Sequence, residues 1–462
     1  MADRRFDFVI IGAGPAGEAA AYEARSRGAS VMVVERDLFG GSCPHWGCVP
    51  SKSLLNGALH HAWGDDYPWT RSSERRDYMI NRVGLAYPDD GGHVRRLEAA
   101  GAETMRGAAR LAGPGRVRVQ PTEPGGRPTS SDAIDLVGAQ VILALGSSSK
   151  MPPVPGIERI TTWTNRDATA TRQLPRSLMV LGGGPTGVEL AQVFARFGVP
   201  VSIVQSGLRL APTDHPRNSA VALEALRRDG VTVRLGARAM AARPGAGADG
   251  ADVIDLDDGS SVEGHVTLLA VGREFPIEGL GLESLGIEPA AIVRDGRLRI
   301  ADGLWLVGDP AGPELHTHQA HYQGELAVRM ASGEPISPDY RALPRATYIE
   351  PEMASVGMTL DQALDDGLDA FELVADFASS SKGYSVEADL GHVTIVVDRS
   401  TRELVGAAMA VPDASAAIHE CVLAIKARVP VDVLAETIHA FPSTSRIFNG
   451  LFADARRELT GP

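Results

Sequence analysis

What most restricts the fold of this chain is a pattern that it uses twice. An apolar run, FDFVII at 6–11, leads into Gly12, Gly14 and Gly17; an alanine-rich stretch to Arg27 follows, and a second apolar run from Ser30 to Val34 ends on Glu35. That is strand, glycine turn, helix and strand, closed by an acid. The pattern returns over Leu178 to Val204, where SLMVLGGGPTGVELAQVFARFGVPVSIV carries Gly182, Gly184 and Gly187. Three glycines at this spacing allow a tight turn, a close approach of backbone to a pyrophosphate, and packing of helix on strand. The helix N-terminus then offers N–H groups to the anion. Glycines also occur in ordinary βα turns, but two copies in full context point to two nucleotide folds.

The remainder of the chain is consistent with a soluble globular protein. Its 462 residues suggest about three domains, and 45 Lys+Arg against 58 Asp+Glu leave a net charge of −13. That balance disfavours a general nucleic-acid or anionic-membrane partner. No apolar run reaches the length of a membrane helix. The first apolar stretch is short, is interrupted by Asp7 and runs into glycines rather than a cleavage site, so a cytoplasmic location is expected. Two Pro- and Gly-rich stretches, Pro121 to Ser131 and Ala241 to Gly250, read as hairpin tips or loops. From near Ile336, alternating strands precede a helical stretch from Ala414 to Ala427, which suggests an appended α+β domain.

The cysteines are Cys43, Cys48 and Cys421, too few for a secreted disulfide framework. Cys43 and Cys48 lie in GGSCPHWGCVPSK, directly after the first nucleotide fold's second strand. On a regular helix five residues rise about 7.5 Å and turn roughly 500°, so the two side chains diverge. A disulfide needs Cα atoms within about 7 Å, so the pair joins only where the helix is distorted, and Pro44 and Gly47 allow that. A thiol at a helix start also has its pKa lowered. The pair therefore reads as catalytic rather than structural; a metal site lacks the further ligands it would need. Cys421 reads as a buried small hydrophobe.

With these motifs the sequence resembles the class I pyridine nucleotide-disulfide oxidoreductases, which include dihydrolipoamide dehydrogenase, glutathione reductase and mercuric reductase. The resemblance extends through VILALGSSSKMPPVPG at 141–156, LLAVGREFPIEGLGL at 268–282, GLWLVGDPAG at 303–312 and EPEMASVGMT at 350–359. It implies an α/β fold with two Rossmann-like dinucleotide-binding domains, for FAD and NAD(P)H, and a C-terminal α+β dimerisation domain. The expected boundaries are 1–155 and 275–335 for FAD, 156–274 for NAD(P)H and 336–462 for dimerisation. It further implies FAD on Gly12, Gly14 and Gly17, with Glu35 on the adenosine ribose, Gly146 beside the cofactor and Asp309 near the ribityl chain. Lys52 would lie beside the flavin, paired with Glu189. Cys48 would face the flavin as a thiolate, and Cys43 would be the interchange thiol that attacks substrate. Gly182, Gly184, Gly187 and Gly272 would hold the nicotinamide nucleotide. Gln205 stands where NAD specificity wants an acid, and Arg209 follows as a candidate for a 2′-phosphate. NADPH is therefore expected, with NADH possible, although Arg209 also reads as a solvated surface charge.

One part of the family pattern is missing. Members that exchange disulfides usually carry HPTxxE, which the partner subunit of a homodimer delivers to the cysteines as an acid–base dyad. Here the segment reads IHAFPSTSRIF, with Phe441 at the His position and Arg446 at the Glu position. Neither transfers protons at neutral pH. His439, two residues earlier, replaces the dyad only on a shifted loop.

Several acceptors remain open: a disulfide of an acidic thiol, a quinone or a metal ion. A further alternative is a thioether, cleaved and carboxylated as in 2-ketopropyl-coenzyme M oxidoreductase/carboxylase, whose site this one resembles in GGSCPH and in a Phe for the His. Arg446 would then hold a carboxylate or enolate. A non-catalytic flavin-binding scaffold is the opposing reading, and retention of both cysteines speaks against it. Between Trp46 and Tyr87 the sequence interleaves aromatics with Arg71, Arg75, Arg76 and Arg82. This segment reads either as an unusual substrate pocket or as a packed helical hairpin with a charged face. His316, His318 and His321 read as helix packing rather than as a metal cluster.

Overall fold

The computed structural model describes residues 4–292 and 294–461. The chain divides into two compact units. One comprises residues up to 53, 74–150 and 272–338; the other comprises 54–73, 151–271 and 339 onward. The divide thus falls after 150, 271 and 338, and the second nucleotide fold groups with the C-terminal domain.

In the first unit, β1 (Arg4–Ile11) is followed by α1 (Pro15–Ser26) and β2 (Val31–Glu35). Phe8 to Ile11 register in parallel with Val31 to Val34, and nearly all of these side chains are buried, as expected of strands covered on both faces. On its other side β1 pairs in parallel with the strand Ile134–Leu143. The strands Glu103–Leu111 and Arg116–Pro121 lead from β2 back to it. Strand Leu304–Leu306 extends the sheet in parallel from 134–143. Helix α1 buries an alanine face, Ala16, Ala20, Ala21 and Ala24. The helix Thr317–Ala331 packs so tightly on it that a Cβ at Gly324 would lie 2.2 Å from the Ala16 carbonyl oxygen. After β2 the chain forms the short α2 (Ser42–Trp46), breaks at Gly47, and restarts as α3 (Cys48–Ala62).

The second unit repeats the opening pattern as β3 (Leu178–Leu181), α4 (Pro185–Arg196) and β4 (Val201–Gln205). Strands Thr232–Leu235 and Val266–Leu269 flank β4 and β3 in parallel. An antiparallel three-stranded sheet over 239–264 is attached, with residues 244–251 as a hairpin tip. Residues 122–133 likewise connect two antiparallel strands in the first unit. The C-terminal part is a five-stranded antiparallel sheet running from Pro344 to Ala410, covered by helices at 414–427 and 446–460. Its core includes Val393, Ile395, Met409, Phe448 and Phe452. Cys421 is fully buried there, and burial pushes its thiol well up, which makes it an inert hydrophobe.

Candidate functional site: a dithiol and two nucleotide cradles

The break between α2 and α3 brings the cysteines together. Gly47 takes φ −117° and ψ −106°, far from helical, and Cys48 becomes the first residue of the new helix. The two half-buried thiols lie within hydrogen-bond reach of each other. Cys48 Sγ also lies 3.2 Å from Thr317 Oγ1, at the start of the helix Thr317–Ala331. The Cys48 thiol is lowered to about 6, by the hydrogen bond from Cys43 first, then by Thr317 and the charge of Lys52, all acting against burial. Cys43 moves the opposite way, because it donates to Cys48, is buried, and faces a negative sulfur. One proton therefore resides on Cys43 while Cys48 carries the charge. Lys52 Nζ donates to Ser51 Oγ at 3.3 Å, one turn into α3. Glu189, buried in α4, accepts a hydrogen bond from the Tyr348 backbone N–H at 3.0 Å.

Both glycine turns have the sterics of a dinucleotide cradle. Gly12 sits at φ +104°, and a Cβ there would lie 2.2 Å from the Ala144 carbonyl oxygen; one at Gly17 would lie 1.9 Å from that of Gly12. Gly14 caps α1 without any side-chain hydrogen bond, and Pro15 follows at the first helical position. The exposed dipole end is therefore left for an anion. Glu35 accepts from the backbone N–H groups of Ala13 and Asp37, both at 2.8 Å, and its burial raises its pKa. Asp309 accepts from Ser147 Oγ, and Arg273 binds the same serine through its side chain and, at 2.8 Å, through its carbonyl. These three residues stand beside Gly146 and Gly272, which both adopt positive φ. The chain thus fits FAD in the first cradle by shape and donor set.

The second cradle copies the first with one change of charge. A Cβ at Gly182 or Gly187 would meet a carbonyl oxygen at 2.2 or 2.1 Å, and Gly184 is an uncapped helix start. Gln205 Oε1 accepts from Gly183 N at 2.9 Å, so a neutral amide does here what Glu35 does for Ala13. Two of the five guanidinium N–H groups of Arg209 are used within its own loop. They donate to the carbonyl oxygens of Asp214 at 3.1 Å and Pro212 at 2.7 Å and close that loop.

In the C-terminal segment Phe441 is 72% exposed, and Arg446 opens the helix Arg446–Thr460, donating to Asn449 Oδ1. His439 does not present a nitrogen for catalysis. Its Nε2 faces Glu420 Oε1 at 2.8 Å and its Nδ1 faces the Thr437 carbonyl oxygen at 3.0 Å. Both ring nitrogens are therefore engaged by groups of their own domain.

The aromatic and basic segment is likewise occupied. Trp46 packs edge-on to Tyr87, whose hydroxyl donates to Asp37 at 2.6 Å. Arg76 and Arg82 both pair with Asp77 in the interior, while Arg71 lies over the Tyr67 ring and Arg75 over that of Tyr78. The segment is packed as a charged helical stretch. His316 pairs with Glu314 at 2.9 Å and stacks on His318. Among the described residues, no group of three or more His, Cys, Asp or Glu is arranged to hold a metal.

Thr317, Ser147 and Arg273 therefore join the site without having been singled out from sequence. Gln205, noted from sequence as the non-acid at a strand end, joins it with a defined bond to Gly183.

Comparison with known proteins agrees with this geometry. Residues 6–324 match the sequence model of the pyridine nucleotide-disulphide oxidoreductases, and residues 343–451 match the dimerisation domain of that family. The chain belongs to this family of FAD- and NAD(P)H-dependent enzymes. Among curated relatives, a dihydrolipoyl dehydrogenase of Rhizobium etli is 30% identical over 97% of this chain and 98% of the relative. One of Bacillus subtilis is 31% identical over 96% of this chain and 94% of its own. Among solved structures, the Cu(II) complex of RclA, an HOCl-induced flavoprotein disulfide reductase of Escherichia coli, superposes with a TM-score of 0.84 at 25% identity, covering 98% of this chain and 99% of that one. LpdA of Mycobacterium tuberculosis gives 0.84 at 27% identity, again over 98% and 99%. The dimerisation domain makes the enzyme a homodimer, and its substrate is a small molecule. Among the described residues no helix is long and apolar enough to cross a membrane.

Proposed function

We propose that this enzyme draws electrons from NAD(P)H into the Cys43–Cys48 pair and passes them to a small disulfide whose leaving thiol is acidic, in a reducing, cytoplasmic setting. The observation that carries this reading is the split of the dithiol, with Cys48 lowered to about 6 and Cys43 held protonated, in a chain with Phe441 and Arg446 where the family has its dyad. FAD, when bound, supplies the relay of an electron pair between nicotinamide and disulfide.

The residues of the chain then manage the protons. As Cys43 sulfur attacks the acceptor's S–S bond, its proton moves to Cys48, a mixed disulfide forms, and the first thiolate leaves. That thiolate takes the proton from Cys48. Freed as a thiolate, Cys48 attacks Cys43 sulfur, restores the intramolecular disulfide, and expels the second thiolate. Two electrons leave the dithiol, and the acceptor departs as one thiol and one thiolate. No outside acid enters this cycle, so the rate depends on how readily the leaving sulfur bears charge.

A second acceptor class, a metal ion such as Cu(II), is supported by the copper complex of RclA and by the accessible soft thiolate. Carboxylating thioether cleavage is supported only by GGSCPH, Phe441 and Arg446 in the sequence.

The test is an anaerobic titration of holoenzyme with NADPH and NADH, followed by turnover with disulfides graded in leaving-thiol pKa, Cu(II), quinones, and thioethers with labelled bicarbonate. A thiolate-to-flavin band and rates that rise as leaving-thiol pKa falls are expected. Absence of the band with FAD intact, or rates indifferent to the leaving thiol, would reject the mechanism; labelled product would select carboxylation.

A further inference from the structure

The short α2, which carries Cys43, does not hold itself in place. It has five residues, Gly41 caps it without a side-chain hydrogen bond, and Gly47 breaks it, whereas isolated helices need about 12–15 residues to persist in water. Yet Cys43 has to stay turned toward Cys48 across that break, since its hydrogen bond has the largest effect on the Cys48 thiol. We infer that His45 is the positioning residue that fixes α2, and with it the reduction potential of the Cys43–Cys48 pair, through one hydrogen bond to the Phe39 carbonyl oxygen. That role rests on the redox chemistry proposed above for the pair and is independent of the acceptor.

His45 stands between the two cysteines in the sequence and is 1% exposed. Its Nε2 lies 2.9 Å from the Phe39 carbonyl oxygen. That oxygen only accepts, so Nε2 carries the ring proton and Nδ1 a lone pair. Nδ1 meets no hydrogen-bond partner among the described residues, so a single polar contact ties the ring to the protein. Burial pushes the imidazole below its usual pKa, which keeps it neutral and keeps that N–H in place near neutral pH.

Phe39 is a firm anchor. Its N–H donates to Asp90 Oδ2 at 2.8 Å, and Arg106, on the strand Glu103–Leu111, reaches both oxygens of Asp90 through Nη2 at 2.9 and 2.7 Å. These are charge-assisted bonds on a buried carboxylate, the strong kind. The sheet thus holds Asp90, Asp90 holds Phe39, and Phe39 holds α2. From another side the His93 ring packs edge-on to His45 at 5.6 Å, and His93 is itself tied to Glu18 at 2.7 Å. The imidazole has a fixed plane as well as a fixed partner. Loosening α2 would lower the effective concentration of the Cys43 sulfur at Cys48, so the disulfide would form less readily. The Cys48 thiolate would also lose the hydrogen bond from Cys43, and its thiol would rise.

The experiment compares His45→Phe, which fills the ring's place without a donor, with His45→Gln, whose amide N–H reaches about as far from the backbone as the imidazole Nε2. On FAD-loaded holoenzyme, the dithiol–disulfide equilibrium is measured against glutathione, and alkylation of Cys48 by iodoacetamide is followed against pH in the reduced form. His45→Phe should shift the equilibrium toward the dithiol by about threefold to tenfold, or about 15–30 mV, and slow Cys48 alkylation at neutral pH by about twofold. His45→Gln should keep the parent values. Parent values in His45→Phe, or a glutamine no better than the phenylalanine, overturn the assignment. Should His45→Phe fail to fold, Asp90→Asn tests the far end of the relay: it should move both readouts the same way by about threefold, and unmoved readouts overturn the relay. Absence of the thiolate-to-flavin band in the parent would reject the proposed function, while the Cys48 alkylation profile would still report on His45, so the two failures are distinguishable.

Discussion

Replacing Thr317 by valine removes one hydroxyl from a side chain of nearly the same shape, at the atom that sits 3.2 Å from Cys48 Sγ. A hydrogen bond to a charged group contributes about 1.5–3 kcal/mol, and one pKa unit corresponds to about 1.36 kcal/mol. The hydroxyl is one of four groups that lower Cys48 to about 6, so its loss should raise the thiol by about one unit, to roughly 7. The sign is fixed by the charge: the hydroxyl donates to the thiolate and has less to offer the neutral thiol, so its removal disfavours ionisation. Only the thiolate is alkylated quickly. The assay is therefore the pH dependence of iodoacetamide modification of reduced enzyme, with Cys43 and Cys48 peptides resolved by mass spectrometry. At neutral pH the Thr317→Val rate at Cys48 should fall about twofold, because roughly half the thiol is then protonated. At high pH the rates of variant and parent should converge. Thr317→Ser should keep the parent profile. An unmoved or lowered midpoint in Thr317→Val, with the fold intact, would refute the account of how Cys48 is held ionised.

Two other substitutions test the remaining assignments. Phe441→His with Arg446→Glu restores an acid–base pair, so turnover with disulfides of ordinary, weakly acidic thiols should increase by about tenfold or more, while acidic leaving thiols gain little. Steady-state rates across that series check it, and no gain would show that positions 441 and 446 do not set the acceptor range. Arg209→Ala removes two bonds to loop carbonyls and should raise KM for NADH and NADPH alike, with a stability loss of about 1–3 kcal/mol. An effect confined to NADPH would return Arg209 to the 2′-phosphate.

The glycine turns were legible because their requirement is local. Positive φ at Gly12 and Gly182, and a carbonyl oxygen where any Cβ would sit, are constraints that residue type alone satisfies. The cysteine pair was legible for the same reason: a five-residue spacing across Pro44 and Gly47 allows contact only on a broken helix start. The exchange at 441 and 446 was legible as an absence of proton-transfer groups. None of these required knowledge of distant partners.

Tertiary structure decided the rest, because contact between side chains far apart in sequence leaves no periodicity to read. Thr317 reaches Cys48 across 269 residues, and Asp309 reaches Ser147 across 162. His439 had an attractive position in the sequence, yet Glu420 and Thr437 occupy both its nitrogens. Arg209 had a suitable charge, and part of its guanidinium closes the turn of its own loop. The sequence determined that the chain would hold two nucleotide cradles and a redox pair. Which sulfur holds the charge was decided by packing, since burial and hydrogen bonding set it.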